Sequence, residues 1–207
     1  MTLEERVFFY SGKIRLEGLF NKADIDKGMV ICHPHPLFGG NMENQIVEII
    51  TAIYRDLKYN TLRFNFRGAG QSEGHYDQGY GEQSDLLSAI EFLKNYGVNN
   101  LDLIGYSFGA WVIAQCIDKI PKEIIKNIIW VAPPVRYLPF PEILGDEKIR
   151  LIIVGENDDI SDPLALKKMV KRWNSEAQFH IIDSTDHFFI GHFKELIDII
   201  SDFLNNQ

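Results

Sequence analysis

The sequence has few cysteines and no long apolar run. Only Cys32 and Cys116 occur among 207 residues, and each lies within an apolar segment. This placement is typical of buried thiols in a reducing compartment and excludes a disulfide framework. No apolar run approaches the roughly 18 residues that a membrane span requires. We therefore expect a cytoplasmic protein without a membrane anchor.

Basic residues are also in short supply, with 21 Lys and Arg against 29 Asp and Glu and a net charge of -8. Acidic side chains spread along the whole chain do not suit binding to a nucleic-acid backbone. Residues 1–6 carry acids where a secretory signal needs basic and then apolar residues. We expect no nucleic-acid partner, no membrane partner and no leader peptide, and the sequence leaves the oligomeric state open.

The length suits one sizeable core and is too short for two typical domains, so a single domain over residues 1–207 is predicted. An N-terminal antiparallel hairpin is predicted within residues 7–20. After it, short apolar strands alternate with segments in which apolar residues recur every three or four positions. Strands that are apolar on both faces indicate a mostly parallel sheet with helices on each side, and thus an α/β fold. The predicted strands are 29–32, 61–66, 101–104, 127–131, 150–154 and 178–182, and the predicted helices are 44–56, 81–96, 108–120, 162–173 and 193–204.

The strongest functional signal is Gly-Tyr-Ser-Phe-Gly at residues 105–109, which follows an apolar run and passes directly into a helix-forming run. A sharp strand-to-helix turn of this kind lifts the serine oxygen clear of its neighbours, so that a base and a substrate can reach it. Gly105 and Gly109 are small because a larger residue would collide with adjacent backbone. Ser107 is the candidate nucleophile.

An activated serine needs a histidine to take its proton. His187 follows the last predicted strand at the carboxyl edge of the sheet, where active sites of open α/β sheets are built. It is the favoured base, and His192, nearer the final helix, is the alternative. His75 lies in a glycine-rich loop and His180 lies within a strand, which makes both less suitable.

The histidine in turn needs a carboxylate that orients it. A polar loop with several acids follows residues 150–154, again at the carboxyl end of a strand. Asp158 is the favoured acid, and Asp159 and Glu156 are the alternatives.

Two backbone N–H groups must point to where the carbonyl oxygen becomes negative during acyl transfer. One is normally that of the residue after the nucleophile, here Phe108. The second comes from the loop after residues 29–32, where Pro34 and Pro36 have no N–H to donate. The second donor is therefore His35 or Leu37, and His35 is favoured.

Aromatic and apolar residues near the expected mouth of the site indicate a partly apolar pocket for an acyl or aromatic group. The pocket candidates are Leu37, Phe38 and Tyr106, with Tyr76, Tyr80 and Tyr137 also near the mouth.

Two other interpretations are disfavoured by spacing. His33 and His35 could bind a metal, but no third and fourth ligand with supportive spacing follows, so no metal is predicted. Residues 67–74 resemble a nucleotide-binding loop, but Glu73 stands where that pattern needs a glycine. We expect a tight turn beneath the loops of the site, with Arg67 paired to a nearby carboxylate, and no cofactor.

Three blocks carry a resemblance to a known family: His-Pro-His-Pro-Leu-Phe-Gly-Gly-Asn-Met at 33–42, Arg-Phe-Asn-Phe-Arg-Gly with further glycines at 63–74, and Gly-Tyr-Ser-Phe-Gly-Ala at 105–110. With these blocks the chain resembles the α/β-hydrolase superfamily over essentially its whole length, and more narrowly the small hydrolases related to dienelactone hydrolases. The resemblance implies Ser107 as nucleophile, His187 as base and Asp158 as acid, with no metal or organic cofactor.

The chain departs from that family in two ways. Dienelactone hydrolases proper have a cysteine where Ser107 stands, which argues against dienelactone chemistry. The long insertion that forms a cap in many lipases is missing, so an open site is expected. The predicted function is hydrolysis of a small-molecule carboxylic ester or thioester through an acyl-enzyme. The alternatives are an acyltransferase that uses the same residues and a non-catalytic binding or scaffold protein with this fold.

Overall fold

A computed structural model describes residues 4–206, in which eight strands form one sheet. Residues 1–3 and residue 207 lie outside the described part. The prediction that residues 1–6 are not part of a secretory signal therefore falls partly on residues that the structure does not describe. The strands are β1 Glu5–Ser11, β2 Ile14–Asn21, β3 Lys27–Cys32, β4 Asn60–Phe64, β5 Asn100–Tyr106, β6 Ile125–Val131, β7 Ile149–Gly155 and β8 Gln178–Ile182. The helices are α1 Gln45–Asp56, α2 Tyr80–Asn95, α3 Phe108–Gln115, α4 Pro163–Trp173 and α5 Phe193–Asn205, with short 3-10 helices at Pro36–Phe38 and Ile117–Lys119.

The sheet order is β1-β2-β4-β3-β5-β6-β7-β8. β1 and β2 form the predicted antiparallel hairpin, β2 pairs antiparallel with β4, and all remaining pairs are parallel. From β3 the chain adds β4 on one side, and from β5 it adds β6, β7 and β8 on the other side. The adjacent strands β3 and β5 therefore lie where the strand order reverses. A crevice forms at the carboxyl ends of strands at such a point. This confirms the predicted α/β fold with a mostly parallel sheet.

Helices cover both faces of the sheet because the parallel strands are apolar on both faces. On β7, Ile152 and Val154 belong to the apolar cluster that includes residues of α2, α3 and α4, whereas Leu151 and Ile153 belong to the cluster that includes residues of α1 and α5. On β3, Val30 likewise belongs to the first cluster and its two neighbours in sequence belong to the second. The three layers hold the carboxyl ends of the parallel strands together at one edge of the sheet.

Several element ends differ from the sequence prediction. β4 ends at Phe64 because the N–H of Phe66 donates to a side chain of another loop, although the N–H of Asn65 still donates to the carbonyl of Glu17 on β2. α3 ends at Gln115 and continues only as a 3-10 turn. Residues 132–148 connect β6 to β7 without a helix. Among residues 4–206, no helix is both long enough and apolar enough to span a membrane.

A buried carboxylate lies on β5, at the end of the strand opposite the candidate nucleophile. Asp102 is 2% exposed and accepts hydrogen bonds from the hydroxyl of Tyr54 (2.8 Å) and from Nδ2 of Asn127 (2.7 Å). Burial raises the pKa of Asp102 to about 6, although both hydrogen bonds favour the charged form.

Replacement of Asp102 by Asn is expected to remove a pH dependence of stability. The folded-state pKa of about 6 lies above the ordinary value of 3.8, so the carboxyl contributes its full stabilisation below pH 3.8 and loses it as the pH rises through about 6. Across this interval the free energy of unfolding of the wild type should fall by about 3 kcal/mol relative to Asp102→Asn. Urea unfolding of both proteins over the acidic and neutral range measures the difference, and parallel curves would contradict it.

Candidate active site

Ser107 occupies a strained turn between β5 and α3. Its backbone has φ 53° and ψ -116°, and its N–H donates to the carbonyl of Val131 at 2.9 Å. A Cβ at Gly105 would lie 2.4 Å from the backbone of Ala110, and one at Gly109 would lie 2.2 Å from the carbonyl oxygen of Cys32. Both glycines are therefore required by close backbone approach, as predicted, and a positive φ at a serine is a strained state held in place by the surrounding fold.

His187 lies against this serine. Its Nε2 is 2.8 Å from Oγ of Ser107, and its Nδ1 is 2.8 Å from Oδ2 of Asp158. With Nδ1–H donating to the carboxylate, Nε2 is left to accept the serine hydroxyl. All three residues are buried. The structure thus brings the three favoured candidates together in the order serine, imidazole, carboxylate.

The carboxylate of Asp158 is held by the backbone that follows it. Its Oδ1 accepts the N–H groups of Ile160 (2.8 Å) and Ser161 (2.7 Å) and lies 3.1 Å from Nδ1 of His187, whereas Oδ2 makes the shorter contact with that nitrogen, at 2.8 Å. The hydroxyl of Ser161 also lies 3.3 Å from Nδ1 of His187. Sequence reasoning missed Ser161, although a serine three residues after an aspartate at a strand end is a recognisable loop pattern.

The alternative candidates lie elsewhere. Asp159 is exposed, and Glu156 accepts the N–H of Ser184 at 2.9 Å. His192 precedes α5 and is paired with Glu195 at 3.4 Å. The structure does not bring these side chains to Ser107.

Tyr106 supports His187 from below. The Tyr106 hydroxyl donates to the backbone carbonyl of His187 at 3.0 Å, and the two rings lie 5.8 Å apart at 29°. Burial raises the pKa of Tyr106, and the nearby Asp158 carboxylate adds to the shift, so the phenol remains a donor. Tyr106 was predicted as a pocket residue, and its contact with the histidine loop was not foreseen.

The two candidate amides for the second oxyanion donor differ in their partners. The N–H of Leu37 donates to Nδ1 of His35 at 3.2 Å, so the His35 side chain caps the N-terminus of the short 3-10 helix. Burial lowers the pKa of His35 and so favours the neutral ring, which can accept this bond. Within residues 4–206, the N–H groups of His35 and Phe108 donate to no other protein atom. These two amides are available to a ligand, whereas that of Leu37 is not.

His33 braces the loop that carries His35. Its Nε2 accepts the N–H of Phe66 at 3.0 Å, and its Nδ1 donates to the carbonyl of Pro34 at 2.6 Å. Burial lowers the pKa of His33 to about 4, so the ring is neutral. Both nitrogens are engaged by the protein, and in the described part of the chain no group of three or more His, Cys, Asp or Glu side chains is arranged to hold a metal ion.

The glycine-rich turn after β4 is held by an ion pair with α2. The guanidinium of Arg67 donates to both carboxylate oxygens of Asp85 on α2, at 2.7 and 3.0 Å. Asp85 also accepts the backbone N–H of Arg67 at 3.0 Å. The predicted pairing of Arg67 with a carboxylate is confirmed.

Two adjacent cavities open at Ser107, and Phe38 and Ile160 line both of them. The Leu138 cavity, of about 420 Å³, has Phe108, Pro134, Tyr137 and Leu138 as its own lining residues. The Asn44 cavity, of about 410 Å³, has Pro34, Gly39, Gly40, Asn44, Tyr106, His187 and Phe188 as its own lining residues.

Of the predicted pocket residues, Phe38 lines both cavities and Tyr106 lines the Asn44 cavity. Leu37 lines neither and is 67% exposed, because its side chain points outward from the 3-10 helix. The structure therefore does not bring Leu37 into either cavity. Tyr80 lines a separate cleft. Pro134 and Leu138 were missed, although they follow β6 at the same sheet edge.

Comparisons with known proteins agree with this architecture. A family model described as alpha/beta hydrolase fold matches residues 29–150. The chain is 32% identical to the uncharacterized protein RP471 of Rickettsia prowazekii, over 96% of this chain and 88% of the relative. The structure of an alpha-beta serine hydrolase homologue from Coxiella burnetii has a TM-score of 0.88 at 30% identity and covers 99% of both chains. XC6422 from Xanthomonas campestris, described as an a/b serine hydrolase without lid, has a TM-score of 0.87 at 26% identity, over 100% of this chain and 95% of its own.

Proposed function

The chain belongs to the α/β-hydrolase family, and we propose that it is a serine hydrolase that cleaves carboxylic esters or thioesters through an acyl-enzyme on Ser107. The single observation that carries the proposal is the continuous line of hydrogen bonds from Ser107 through His187 to Asp158. Oγ of Ser107 lies 2.8 Å from Nε2 of His187, and Oδ2 of Asp158 lies 2.8 Å from Nδ1 of His187. A nucleophile, its base and the group that orients the base are in direct contact, which is the geometry that acyl transfer requires.

In the first half of the reaction, Oγ of Ser107 attacks the carbonyl carbon and its proton passes to Nε2 of His187. The carbonyl oxygen becomes negative and accepts hydrogen bonds from the free N–H groups of His35 and Phe108. The bond to the leaving oxygen or sulfur then breaks, and the imidazolium of His187 returns the proton to that atom. Asp158 stays ionised and stabilises the imidazolium while it exists.

In the second half, a water molecule gives a proton to Nε2 of His187 and attacks the acyl carbon. The second tetrahedral intermediate collapses, the bond to Oγ of Ser107 breaks, and the serine recovers its proton from His187. The products are the free carboxylic acid and the unmodified enzyme.

Two measurements on the purified full chain test this function. A fluorophosphonate is expected to label Ser107 stoichiometrically, because it reacts with an activated serine hydroxyl. A panel of aryl esters and the corresponding thioesters should be hydrolysed with release of the free acid. A folded protein that is neither labelled nor active on the panel would favour a binding or scaffold role. Preferential formation of a new ester when an alcohol is added would identify an acyltransferase instead.

A further inference from the structure

The two cavities at Ser107 differ in their relation to the candidate base. His187 lines the Asn44 cavity and does not line the Leu138 cavity. Phe108, whose N–H is one of the free amides, lines only the Leu138 cavity. Ser107 and His35 line both, so the serine and the second free amide stand at the boundary.

This asymmetry constrains the direction in which an ester can bind. The leaving oxygen must come within hydrogen-bond reach of Nε2 of His187, because that nitrogen supplies its proton. The leaving group therefore extends from the serine on the side of His187. The acyl group, attached to the same carbon, must extend to the other side while the carbonyl oxygen faces the two amides.

We infer that the Leu138 cavity holds the acyl group of the substrate and that the Asn44 cavity holds the leaving alcohol or thiol. This assignment rests on the proposed function and adds the substrate class to it. The opposite orientation would place the leaving oxygen on the side of Phe108, away from Nε2 of His187, the group that supplies its proton.

The chemistry of the Leu138 cavity defines the acyl group. Phe38, Phe108, Pro134 and Leu138 present apolar surface, and the volume of about 420 Å³ has room for about a dozen water-sized groups. An apolar wall of this kind favours burial of hydrocarbon over polar groups. The acyl group is thus an unbranched aliphatic chain of medium length or an aromatic acid with a single ring.

The side-chain amide of Asn44 is a polar donor that lines only the Asn44 cavity. Oδ1 of Asn44 accepts the N–H of Ile46 at 3.0 Å and so caps α1, whereas Nδ2 of Asn44 donates to no residue among 4–206. This amide can donate to a hydroxyl or ether oxygen of a leaving group. The preferred substrates are accordingly esters of apolar acids with small alcohols that carry a further oxygen.

Two variants, each read on two ester series, test the assignment. Leu138→Trp fills the acyl cavity, and Asn44→Ser removes the amide donor while keeping a residue that caps helices well. The first series holds a nitrophenyl leaving group constant and lengthens the acyl group from acetyl to decanoyl. The second holds the butanoyl group constant and compares propyl with 2-hydroxyethyl esters, which have the same shape.

Leu138→Trp is expected to lower kcat/KM for octanoyl relative to acetyl esters by about tenfold or more, and to leave the propyl to 2-hydroxyethyl ratio unchanged. Asn44→Ser should lower the preference for the 2-hydroxyethyl ester by about threefold or more and leave the acyl-length profile unchanged. Thermal unfolding and fluorophosphonate labelling verify that each variant is folded, and Leu138→Ala, which should extend the acyl range, serves if the tryptophan variant does not fold.

The reverse pattern, in which Leu138→Trp changes the leaving-group ratio or Asn44→Ser changes the acyl profile, would overturn the assignment. Unchanged profiles in both folded variants would also overturn it. Failure of the proposed function is distinguishable, because the wild type would then hydrolyse no member of either series.

Discussion

Asp158→Asn is expected to lower kcat for ester hydrolysis by about 10⁴-fold. The Oδ1 position accepts two backbone N–H groups, from Ile160 and Ser161, so the asparagine oxygen must remain there. The Nδ2 group then replaces Oδ2, 2.8 Å from Nδ1 of His187. It donates to that nitrogen, so the ring carries its proton on Nε2 and cannot accept the proton of Ser107.

The matched control is Asp159→Asn, which makes the same chemical change at the next residue. Asp159 is exposed and does not contact His187, so its replacement should change kcat by less than about threefold. Glu156→Gln provides a second control from the same loop. Steady-state kinetics with one aryl ester compares all three variants, and equal losses in Asp158→Asn and Asp159→Asn would show that the acid is wrongly assigned.

Ser107→Ala should lower kcat/KM by about 10⁴-fold or more and should abolish fluorophosphonate labelling. The change removes the atom that would carry the acyl group but leaves the backbone, the two free amides and the cavities in place. Its melting temperature should remain within a few degrees of the wild-type value, because a small side chain is replaced by one of similar size.

Ser161→Ala is the control for this prediction, because Ser161 is also a buried serine and its hydroxyl lies 3.3 Å from Nδ1 of His187. This variant should still be labelled and should keep measurable esterase activity, since Ser161 contacts the nitrogen opposite to the one that faces Ser107. Mass spectrometry of the labelled peptides locates the modified serine. Label on residue 161 in the wild type, or undiminished hydrolysis by Ser107→Ala, would refute the assigned nucleophile.

The strands and helices were predictable because local periodicity reports which faces are buried. Residues 151–154 are apolar throughout, which indicated a strand covered on both faces, and β7 is covered in this way by two layers of helices. Predictions of where an element ends were wrong where that end depends on a hydrogen bond to a residue distant in the sequence. β4 ends early because the amide of Phe66 is taken by His33, 33 positions earlier in the chain.

The candidate site was predictable to the extent that its parts are local patterns. The turn at Ser107 is encoded by its two flanking glycines, and Pro34 and Pro36 reduced the second amide to two candidates. The choice between His35 and Leu37 required the structure, because it depends on the bond from the Leu37 amide to the imidazole of His35. Leu37 was predicted as a pocket residue, and sequence position did not reveal that its side chain is exposed and lines neither cavity.

The sequence by itself determined the α/β fold, the turn at Ser107 and the short set of histidines and acids from which a base and its orienting group could come. Only the tertiary structure decided that His187, 80 positions from Ser107, and Asp158, 29 positions from His187, are the members of that set that meet. It alone also created the two adjacent cavities that meet at Ser107. The physical reason is that periodicity and turn chemistry act between near neighbours in the chain, whereas distances across the sheet edge follow from strand order and packing.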